Sequence, residues 1–561
     1  MKKILLFVVI SFYFQQVDAQ SANMKRLMDD QFLIDRLDVL NGRLSDSLHT
    51  ALQALNRKDV VQFLEQYLRK NGNKLTTGEK QEIQRIISKN GEWAANGEGA
   101  EDSKYPILNT FYQKKSDMVN LASERANLII NPIFNYQQMV ETNNTKQNLF
   151  VNTKGLELRA NLIKRVGLYT TFTDNQERGP WHHQQRVMSR SAVPGIAYYK
   201  DFKVDKPGKA QDYLYAAGYL DAEVIKNMVN VSFGQDRFHI GDGYRSLFLN
   251  DMGANYTFMK INTKLWRFNY QNLWMELTPQ YKRGGDKLLP RKYAAMHYLS
   301  ANVTNWLNIG LFEGVIFGRT TGFDFAYMNP IILYRSIEQY KGSPDNALLG
   351  LSFKINTKIK TVLYGQVLLD EFKFSEIKAR NGWWANKYGI QLGFKVADLF
   401  NIKNLLIQGE ANMVRPFTYS RDSVTDYTHY NQALAHPYGA NFLEANLIVN
   451  YKPTRNIYLT WRSFINRQGK DTSAKRAFGG DIFKPYTMRN ADYGIALFNG
   501  YPTETFYSNL NLSYELRYNI FFDLGFAYRY QNSSHKYVPA FNSVQVYSGI
   551  RINAVRRQYD Y

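Results

Sequence analysis

The sequence predicts a mainly β protein: a transmembrane antiparallel β-barrel of about 18 strands, preceded by a small N-terminal periplasmic α-helical domain. Three observations favour this fold class. The strands alternate apolar and polar residues, and short and long connections alternate along the chain. An export signal also precedes a region that lacks any long apolar run.

The last two predicted strands show the alternation most clearly. In residues 520–530 the even positions are apolar or aromatic, whereas the odd positions include Asp523, Gly525 and Arg529. A second run has the same period of two from Ser543 to Asn553 and runs out at Tyr561. A soluble sandwich would bury its apolar face, but a barrel in lipid turns that face outward and keeps polar side chains in its lumen.

The composition agrees with a membrane barrel. Aromatic residues make up 15% of the 561 positions, with 40 Tyr and 35 Phe, which suits the aromatic girdles at the two membrane interfaces. No run of eighteen apolar residues follows the first twenty positions, so a membrane-spanning helix is excluded there. The mean hydropathy of −0.43 reflects the polar half of each barrel strand.

Residues 1–19 are predicted to be a secretory signal peptide. Lys2 and Lys3 precede an apolar core at 4–14, and 17–19 is a small-residue cleavage site. The chain has no Cys, which excludes a lipid-anchored Cys and disulfides. An exported bacterial barrel is expected in the cell outer membrane.

Residues 20–100 are predicted to form a periplasmic helical domain of two to four helices. Residues 27–55 carry apolar side chains at helical spacing, and Asn56 is a predicted helix N-cap. Thr76 with Glu79 predicts a capping box for a further helix. An uncleaved amphipathic membrane anchor is the weaker alternative, because the predicted helices are short and individually capped.

Residues 101–561 are assigned to the barrel. Long connections separate the tight ones, a pattern typical of extracellular loops and periplasmic turns. Eighteen strands fit the spacing best, and sixteen is the alternative. The tight connections are predicted at Lys164–Arg165, Lys226–Asn227, Asn262–Thr263, Thr304–Asn305, Asn356–Thr357, Asn401–Asn404, Lys452–Asn456 and Tyr518.

The charge indicates the class of partner. The formal net charge of +21 favours acidic partners such as anionic lipid headgroups or an acidic polysaccharide. Export argues against nucleic acid. Outer-membrane lipid is a further expected partner, and the N-terminal helices are a candidate contact for a periplasmic protein.

Eight polar residues in three loop segments are the candidates for glycan binding or for a lumen framework, and the choice between the two roles stays open. They are Asp236, Arg237, Asp242, Arg245, Asn329, Asp345, Asn346 and Asp370. Their planar charged groups suit both sugar hydroxyls and wall ion pairs. In the lumen wall, Arg529 and Arg551 are expected to pair with acids such as Asp523 and Glu515. Trp181, Trp383 and Trp384 are candidate sugar-stacking aromatics, with interfacial anchoring as the alternative.

The same segments resemble the Wzi-like outer-membrane proteins of capsule assembly, including the RemB subgroup associated with gliding motility. The resemblance rests on motifs in residues 234–247, 327–330, 343–346 and 364–371, and on a segment around residues 49–57. It implies an eighteen-stranded barrel with a periplasmic helical bundle, and a lectin-like role in holding capsular polysaccharide at the cell surface. The loops near 415–440 and 466–504 are longer than the family pattern suggests, so the glycan specificity does not carry over.

The expected function is therefore a non-enzymatic barrel that binds or organises surface polysaccharide. The alternatives are an accessory component of gliding motility or secretion, and a channel for solutes or polymer. No nucleophile with a matching base is apparent, and no cofactor or metal site is predicted.

Overall fold

The computed structural model describes residues 22–53, 55–95, 99–123, 125–162, 166–202, 209–284, 288–331, 333–422, 424–471, 473–533 and 540–561. The predicted signal peptide lies outside the described residues. Eighteen strands of the described chain form one closed antiparallel barrel, which confirms the predicted fold class and the larger of the two strand numbers. Within these residues no helix is long and apolar enough to cross a membrane.

The barrel strands, numbered in chain order, have the following bounds. They are β1 Ala126–Glu141, β2 Leu149–Leu162, β3 Val166–Arg178, β4 Ala210–Ile225, β5 Val229–Asp236, β6 Tyr256–Leu265, β7 Phe268–Leu277, β8 Lys292–Asn302, β9 Leu307–Phe317, β10 Asn346–Asn356, β11 Thr361–Glu371, β12 Lys387–Ala397, β13 Leu405–Val414, β14 Phe442–Tyr451, β15 Ile457–Lys470, β16 Tyr501–Arg517, β17 Ile520–Ser533 and β18 Phe541–Ile552. Shorter strands occur at Leu52–Gln53, Val119–Ala122, Lys200–Phe202, His239–Ile240, Thr428–His429 and Gln432–Ala433.

Closure comes from pairing between the last and first strands. β18 pairs antiparallel with β1, from Gln545 opposite Glu141 to Ile552 opposite Phe134. Every other barrel strand pairs with its neighbours in sequence, so short turns gather at one end of the barrel and long connections at the other. We call these the turn end and the loop end.

The two faces of the wall differ as the alternation predicts. On β17 the outward Phe522, Leu524 and Phe526 are exposed, whereas the inward Asp523 and Arg529 are buried. In a membrane barrel the apolar side chains contact lipid on the outside, and the polar side chains contact polar groups in the lumen.

Three helices pack at the turn end. They are α1 Gln31–Asn41, α2 Arg57–Asn71 and α3 Thr77–Ser88. The Asn56 side chain accepts hydrogen bonds from the backbone N–H groups of α2, and Thr76 with Glu79 forms the capping box of α3. Both caps agree with the sequence prediction.

Buried ion pairs attach these helices to the barrel. Arg36 of α1 binds Asp398 through two hydrogen bonds of 2.7 Å, and Lys354 Nζ lies 2.6 Å from Asp38 Oδ2. Arg85 of α3 contacts Glu515 and donates to Tyr458 Oη at 2.7 Å. The helices therefore cover the turn end and bind its lumen wall.

Three boundaries differ from the sequence prediction. Helix α1 ends at Asn41, where Gly42 forms a left-handed cap, although the helical spacing continues to residue 55. Asn262 and Thr263 lie inside β6, and the turn falls at Trp266–Arg267, where Trp266 has a φ of +56°. The last strand ends at Ile552, and residues 553–561 enter the lumen. Period two continues through the polar turn after β6, so alternation alone does not locate that boundary.

Candidate functional site

The described segments that fill the lumen include residues 22–30, residues 51–53, the segment that we call the inward loop (residues 237–255), part of the loop at 419–435 and the tail (residues 553–561). Most of the inward loop is buried. Its Phe248 ring stacks on Phe312 of β9 with ring centroids 4.6 Å apart, and Tyr244 packs with Ile448 of β14 and Phe464 of β15. The described chain therefore forms a packed plug inside the wall.

Arg245 and its neighbour Tyr244 anchor the inward loop. Arg245 is fully buried, and its Nη2 lies 3.5 Å from Glu444 Oε1 of β14. The same nitrogen contacts Asp560 of the tail, and Tyr244 Oη also donates to Asp560. The Tyr244 backbone N–H donates to Glu410 at 2.8 Å. This network connects loop, tail and wall.

Asp242 and Asp370 are also framework groups. Asp242 accepts a hydrogen bond from Thr50 and lies 3.6 Å from Lys354 Nζ, between the N-terminal segment and the wall. Asp370 accepts the backbone N–H of Tyr419 at 2.7 Å. Both carboxylates therefore hold chain segments against the lumen wall.

Asp236 and Arg237 line a separate lumen cavity of about 290 Å³. Asp236 accepts the backbone N–H of Arg237 at 2.8 Å. The Arg237 guanidinium donates to the carbonyl oxygens of Gly195 and Gly253 at 3.0 and 2.8 Å. These contacts fix the start and end of the inward loop.

Asn329, Asp345 and Asn346 lie apart from the other candidates. Asp345 binds Arg319 through two 2.7 Å hydrogen bonds and accepts from Tyr327 Oη. Asn346 is buried at the start of β10, and Asn329 is exposed. Asn329 and Asp345 belong to a connection on the outer wall, so the structure does not bring all eight candidates together.

The three tryptophans occupy two places at the loop end. Trp181 begins helix α4 (Trp181–Arg190) and stacks on Phe541, with ring centroids 4.4 Å apart. Trp384 stacks on Tyr486 and lies beneath the Arg489 guanidinium, next to Trp383. Only Trp181 lines the pocket described next.

A pocket of about 400 Å³ lies at the loop end, between α4, the loops at 431–439 and 480–483, and the ends of β15 and β17. We call it the basic pocket. Its cations are Arg186, Arg190, Lys470 and Arg529, and its aromatic side chains are Trp181, Tyr438, Phe483 and Tyr561. Gln185 and Ser189 are exposed at its rim, so it opens away from the turn end.

Three of these cations have no Asp or Glu partner among the described residues. Arg190 pairs with Asp481 at 2.8 Å, but among the described residues no Asp or Glu side chain lies within ion-pair distance of Arg186, Lys470 or Arg529. The buried Nε and Nη1 of Arg529 also lack a hydrogen-bond partner. Burial, with Arg190 and Arg529 nearby, lowers the pKa of Arg186 to about 10. The pocket thus contains three cations that form no ion pair with a described Asp or Glu side chain.

This result corrects one sequence prediction and reveals residues that the sequence did not single out. Arg551 pairs with Asp523 at 2.8 Å as expected, but Arg529 pairs with neither predicted acid. Arg186 and Lys470 were missed because they lie in a loop helix and at a strand end. Only the closed barrel brings them beside Arg529.

The tail forms the floor of the basic pocket. Tyr561 Oη lies 2.5 Å from His183 Nδ1 of α4, and Arg529 Nη2 donates to the Tyr561 carbonyl oxygen at 3.1 Å. His182 Nε2 lies 2.9 Å from the Tyr559 carbonyl oxygen. The pocket is therefore built on contacts that also retain the tail.

Helix α6 (Phe374–Ala379) and the short helix α5 (Tyr334–Tyr340) lie outside this pocket. Within the described part of the chain, no group of three or more His, Asp and Glu side chains is arranged to hold a metal ion.

Comparison with known proteins supports the fold. No family model and no curated protein matches the chain. Among solved structures it matches Wzi from Escherichia coli, an outer-membrane protein involved in group 1 capsule assembly and a carbohydrate-binding β-barrel. The TM-score is 0.56 at 12% identity, over 96% of this chain and 100% of that chain. The chain has the fold of Wzi.

The resemblance predicted from the motifs is thus confirmed for the fold. The chain also matches Pseudomonas aeruginosa OprD at a TM-score of 0.40 and 9% identity, over 75% of this chain and 94% of that one. It matches Pseudomonas aeruginosa OpdK with vanillate at a TM-score of 0.41 and 9% identity, over 76% and 98%. The chain thus has the fold of an outer-membrane β-barrel.

Proposed function

We propose that this barrel binds acidic surface polysaccharide at its loop end and thereby retains or organises it at the cell surface. The observation that carries the proposal is the basic pocket, where Arg186, Lys470 and Arg529 lack Asp or Glu partners among the described residues. The Wzi fold supports the same function. In this proposal the loop end faces outward, and the helices at the turn end face the periplasm.

The chemistry of the pocket suits a sugar that carries a carboxylate or another anionic group. Guanidinium and ammonium groups bind such oxygens through charge-assisted hydrogen bonds. Tyr438, Phe483 and Trp181 offer apolar ring faces for the sugar ring. The proposed role is binding alone, for which the cationic and aromatic side chains of the pocket are sufficient.

The packed lumen favours retention over transport. The inward loop and the tail both cross the lumen and are bound to the wall by buried polar contacts. A polymer would therefore be held at the surface, and its passage through the barrel would require both segments to move.

The test compares Lys470→Gln and Arg529→Gln with the wild type in a binding assay with purified protein in detergent. Each lost charge-assisted contact is worth about 1.5–3 kcal/mol, or roughly a 10- to 100-fold loss of affinity for an acidic polysaccharide. Binding to the wild type should also weaken with added salt.

Arg467→Gln is the matched control. Arg467 lies on the same strand as Lys470, but its side chain is half exposed on the outer face. This variant should bind like the wild type, and a neutral polysaccharide should bind all variants equally weakly. Equal binding by Lys470→Gln, Arg529→Gln and Arg467→Gln would contradict the proposal.

A cell assay tests retention itself. Deletion of the gene should release acidic polysaccharide into the medium while its synthesis continues, and the double variant should do the same. Normal retention accompanied by a motility or secretion defect would instead favour an accessory role.

A further inference from the structure

The connection between β9 and β10 lies on the outside of the barrel. We call residues 319–345 the strap. Tyr327, Tyr334 and Ile337 of the strap are buried in one apolar cluster with Trp274, Ala295 and Val315 of the wall. These three wall positions point outward, because their neighbours Leu273, Ala294 and Ile316 belong to the lumen-side core. The strap therefore covers the outer face of β7–β10.

The strand register shows what the strap covers. Trp274, Ala295, Val315 and Ala347 lie side by side in one outward row across the four strands. The next row toward the turn end contains Asn272, His297, Glu313 and Leu349. The row after that contains Tyr270, Leu299, Leu311 and Leu351.

The middle row is unusual for a lipid-facing wall. Glu313 and His297 point outward with apolar rows on both sides, yet they are only 4% and 7% exposed. Ionisable groups on the lipid face of a barrel are costly, and the cost is greatest far from the interfaces. The strap removes this cost by covering both groups, and the Tyr334 ring lies 3.9 Å from the His297 ring.

The wall in turn satisfies the strap's backbone. Glu313 Oε1 accepts the N–H of Arg335 at 3.0 Å, and Trp274 Nε1 donates to the Tyr327 carbonyl oxygen at 2.9 Å. Tyr270 Oη donates to the carbonyl oxygen of Pro330. Irregular backbone is tolerated at membrane depth only when its polar groups find such partners. The outward polar side chains of β7 and β9 supply them.

The outer side of the strap continues the apolar belt. Phe325, Ile331, Leu333 and Tyr340 are 78%, 87%, 65% and 89% exposed. The bare wall beside and below them exposes Leu311, Leu349 and Leu351. Pro330 reaches Tyr270, which lies two residues from the turn-end start of β7 at Phe268. The strap thus extends well into the height of the belt.

We propose that the strap is an intramembrane element and that its outer side contacts the acyl chains of the surrounding bilayer. Two observations favour hydrocarbon over a partner protein. The exposed side chains are continuous with the lipid-facing belt, and the wall already binds backbone groups that a partner would otherwise have to satisfy. The short helix α5 exposes one cation, Arg335, and its charge is balanced by Glu338, whose carboxylate lies 2.7 Å from the guanidinium.

The absence of Cys allows a direct test in the full-length protein. Ile331→Cys, labelled with an environment-sensitive fluorophore, is reconstituted as one copy per lipid nanodisc with acyl chains that carry bromine. Leu311→Cys is the wall control, and Leu288→Cys, exposed in the connection between β7 and β8, is the water control. We expect bromine to quench the fluorophore at residue 331 as strongly as the one at residue 311. The fluorophore at residue 288 should be quenched little.

Two results would overturn the proposal: quenching of the residue 331 probe by aqueous iodide and not by bromine, or protection of the probe from both quenchers. Either would place the strap in water or beneath other protein. Both measurements use a protein in which Tyr270, Trp274 and Glu313, the wall residues that bind the strap, are unchanged.

Glu313→Leu tests the anchor. Leu suits the belt but cannot accept the Arg335 N–H, so bromine quenching at residue 331 should fall to the level of residue 288. Glu313→Gln retains an acceptor oxygen and should keep the quenching. Unchanged quenching in Glu313→Leu would show that Glu313 does not hold the strap.

Discussion

Cations in the lumen fall into two groups that differ in their acidic partners. Arg245 and Arg551 each pair with two carboxylates, whereas Arg529 and Lys470 pair with no Asp or Glu side chain among the described residues. A buried charge is tolerated when it is paired, and an unpaired one is costly. The paired arginines therefore stabilise the plug, and the cations without Asp or Glu partners are the groups that we propose bind an anionic ligand.

Replacing Arg245 with Met should destabilise the plug. The substitution leaves Asp560 and Glu444 without their shared cation in a fully buried site, which costs about 3–5 kcal/mol. Thermal unfolding in detergent measures this loss. Arg467→Met, on the exposed outer face, should change stability by less than about 1 kcal/mol. Equal unfolding temperatures of the two variants would contradict the assigned role.

Asp29 should make the docking of the N-terminal segment sensitive to acid. Burial favours its protonated form, but Arg551 and Arg556 outweigh this effect and hold the pKa of Asp29 well below its usual range. A depressed pKa in the folded state contributes stability above the unfolded value of about 3.9, and that stability is lost as the pH falls toward the folded pKa.

Protease cleavage within residues 22–93 should therefore increase as the pH falls below about 4. Asp29→Asn should show more cleavage at neutral pH and a weaker dependence on acid. An acid dependence as steep as that of the wild type would assign the effect to other carboxylates.

At the scale of elements, the three N-terminal helices depend on ion pairs with the turn end. Asp398→Ala leaves Arg36 with Glu79 at 3.2 Å as its remaining acidic partner. We expect α1 to detach at a cost of about 3 kcal/mol, which hydrogen exchange in residues 31–41 would measure. Asp102→Ala is the control, because that carboxylate is exposed in its pair with Lys114. Unchanged protection of α1 would contradict the docking role.

For the whole molecule, the packed lumen predicts low conductance. The wild type should form no steady large pores in planar bilayers. Removal of residues 553–561 takes away the tail that binds Arg245, Arg529 and His183, so the truncated protein should conduct more. Large steady pores in the wild type would favour the channel alternative.

The fold was predictable because each barrel strand has its own periodic pattern. Alternation on β17 and the caps at Asn56 and Thr76 depend on neighbouring residues, and all three agree with the structure. The turn at Trp266–Arg267 was placed wrongly because polar turn residues also fit a period of two.

The candidate site was less predictable. Asp242, Arg245 and Asp370 were recognised as polar groups in loop segments, and the structure places them among the lumen contacts. Arg186 and Lys470 carried no local signal. Their importance depends on the absence of nearby Asp and Glu side chains among the described residues, which is a property of the closed barrel.

The sequence by itself determined the membrane barrel, its two-faced strands and the alternation of turns and loops, because these follow from local periodicity and from the medium on each face. Only the tertiary structure decided that the inward loop and the tail fill the lumen. It also decided that three cations without Asp or Glu partners meet in the basic pocket, and that the strap lies on the outer wall. Each of these depends on contacts between residues far apart in the chain, and such contacts exist only after the barrel has closed.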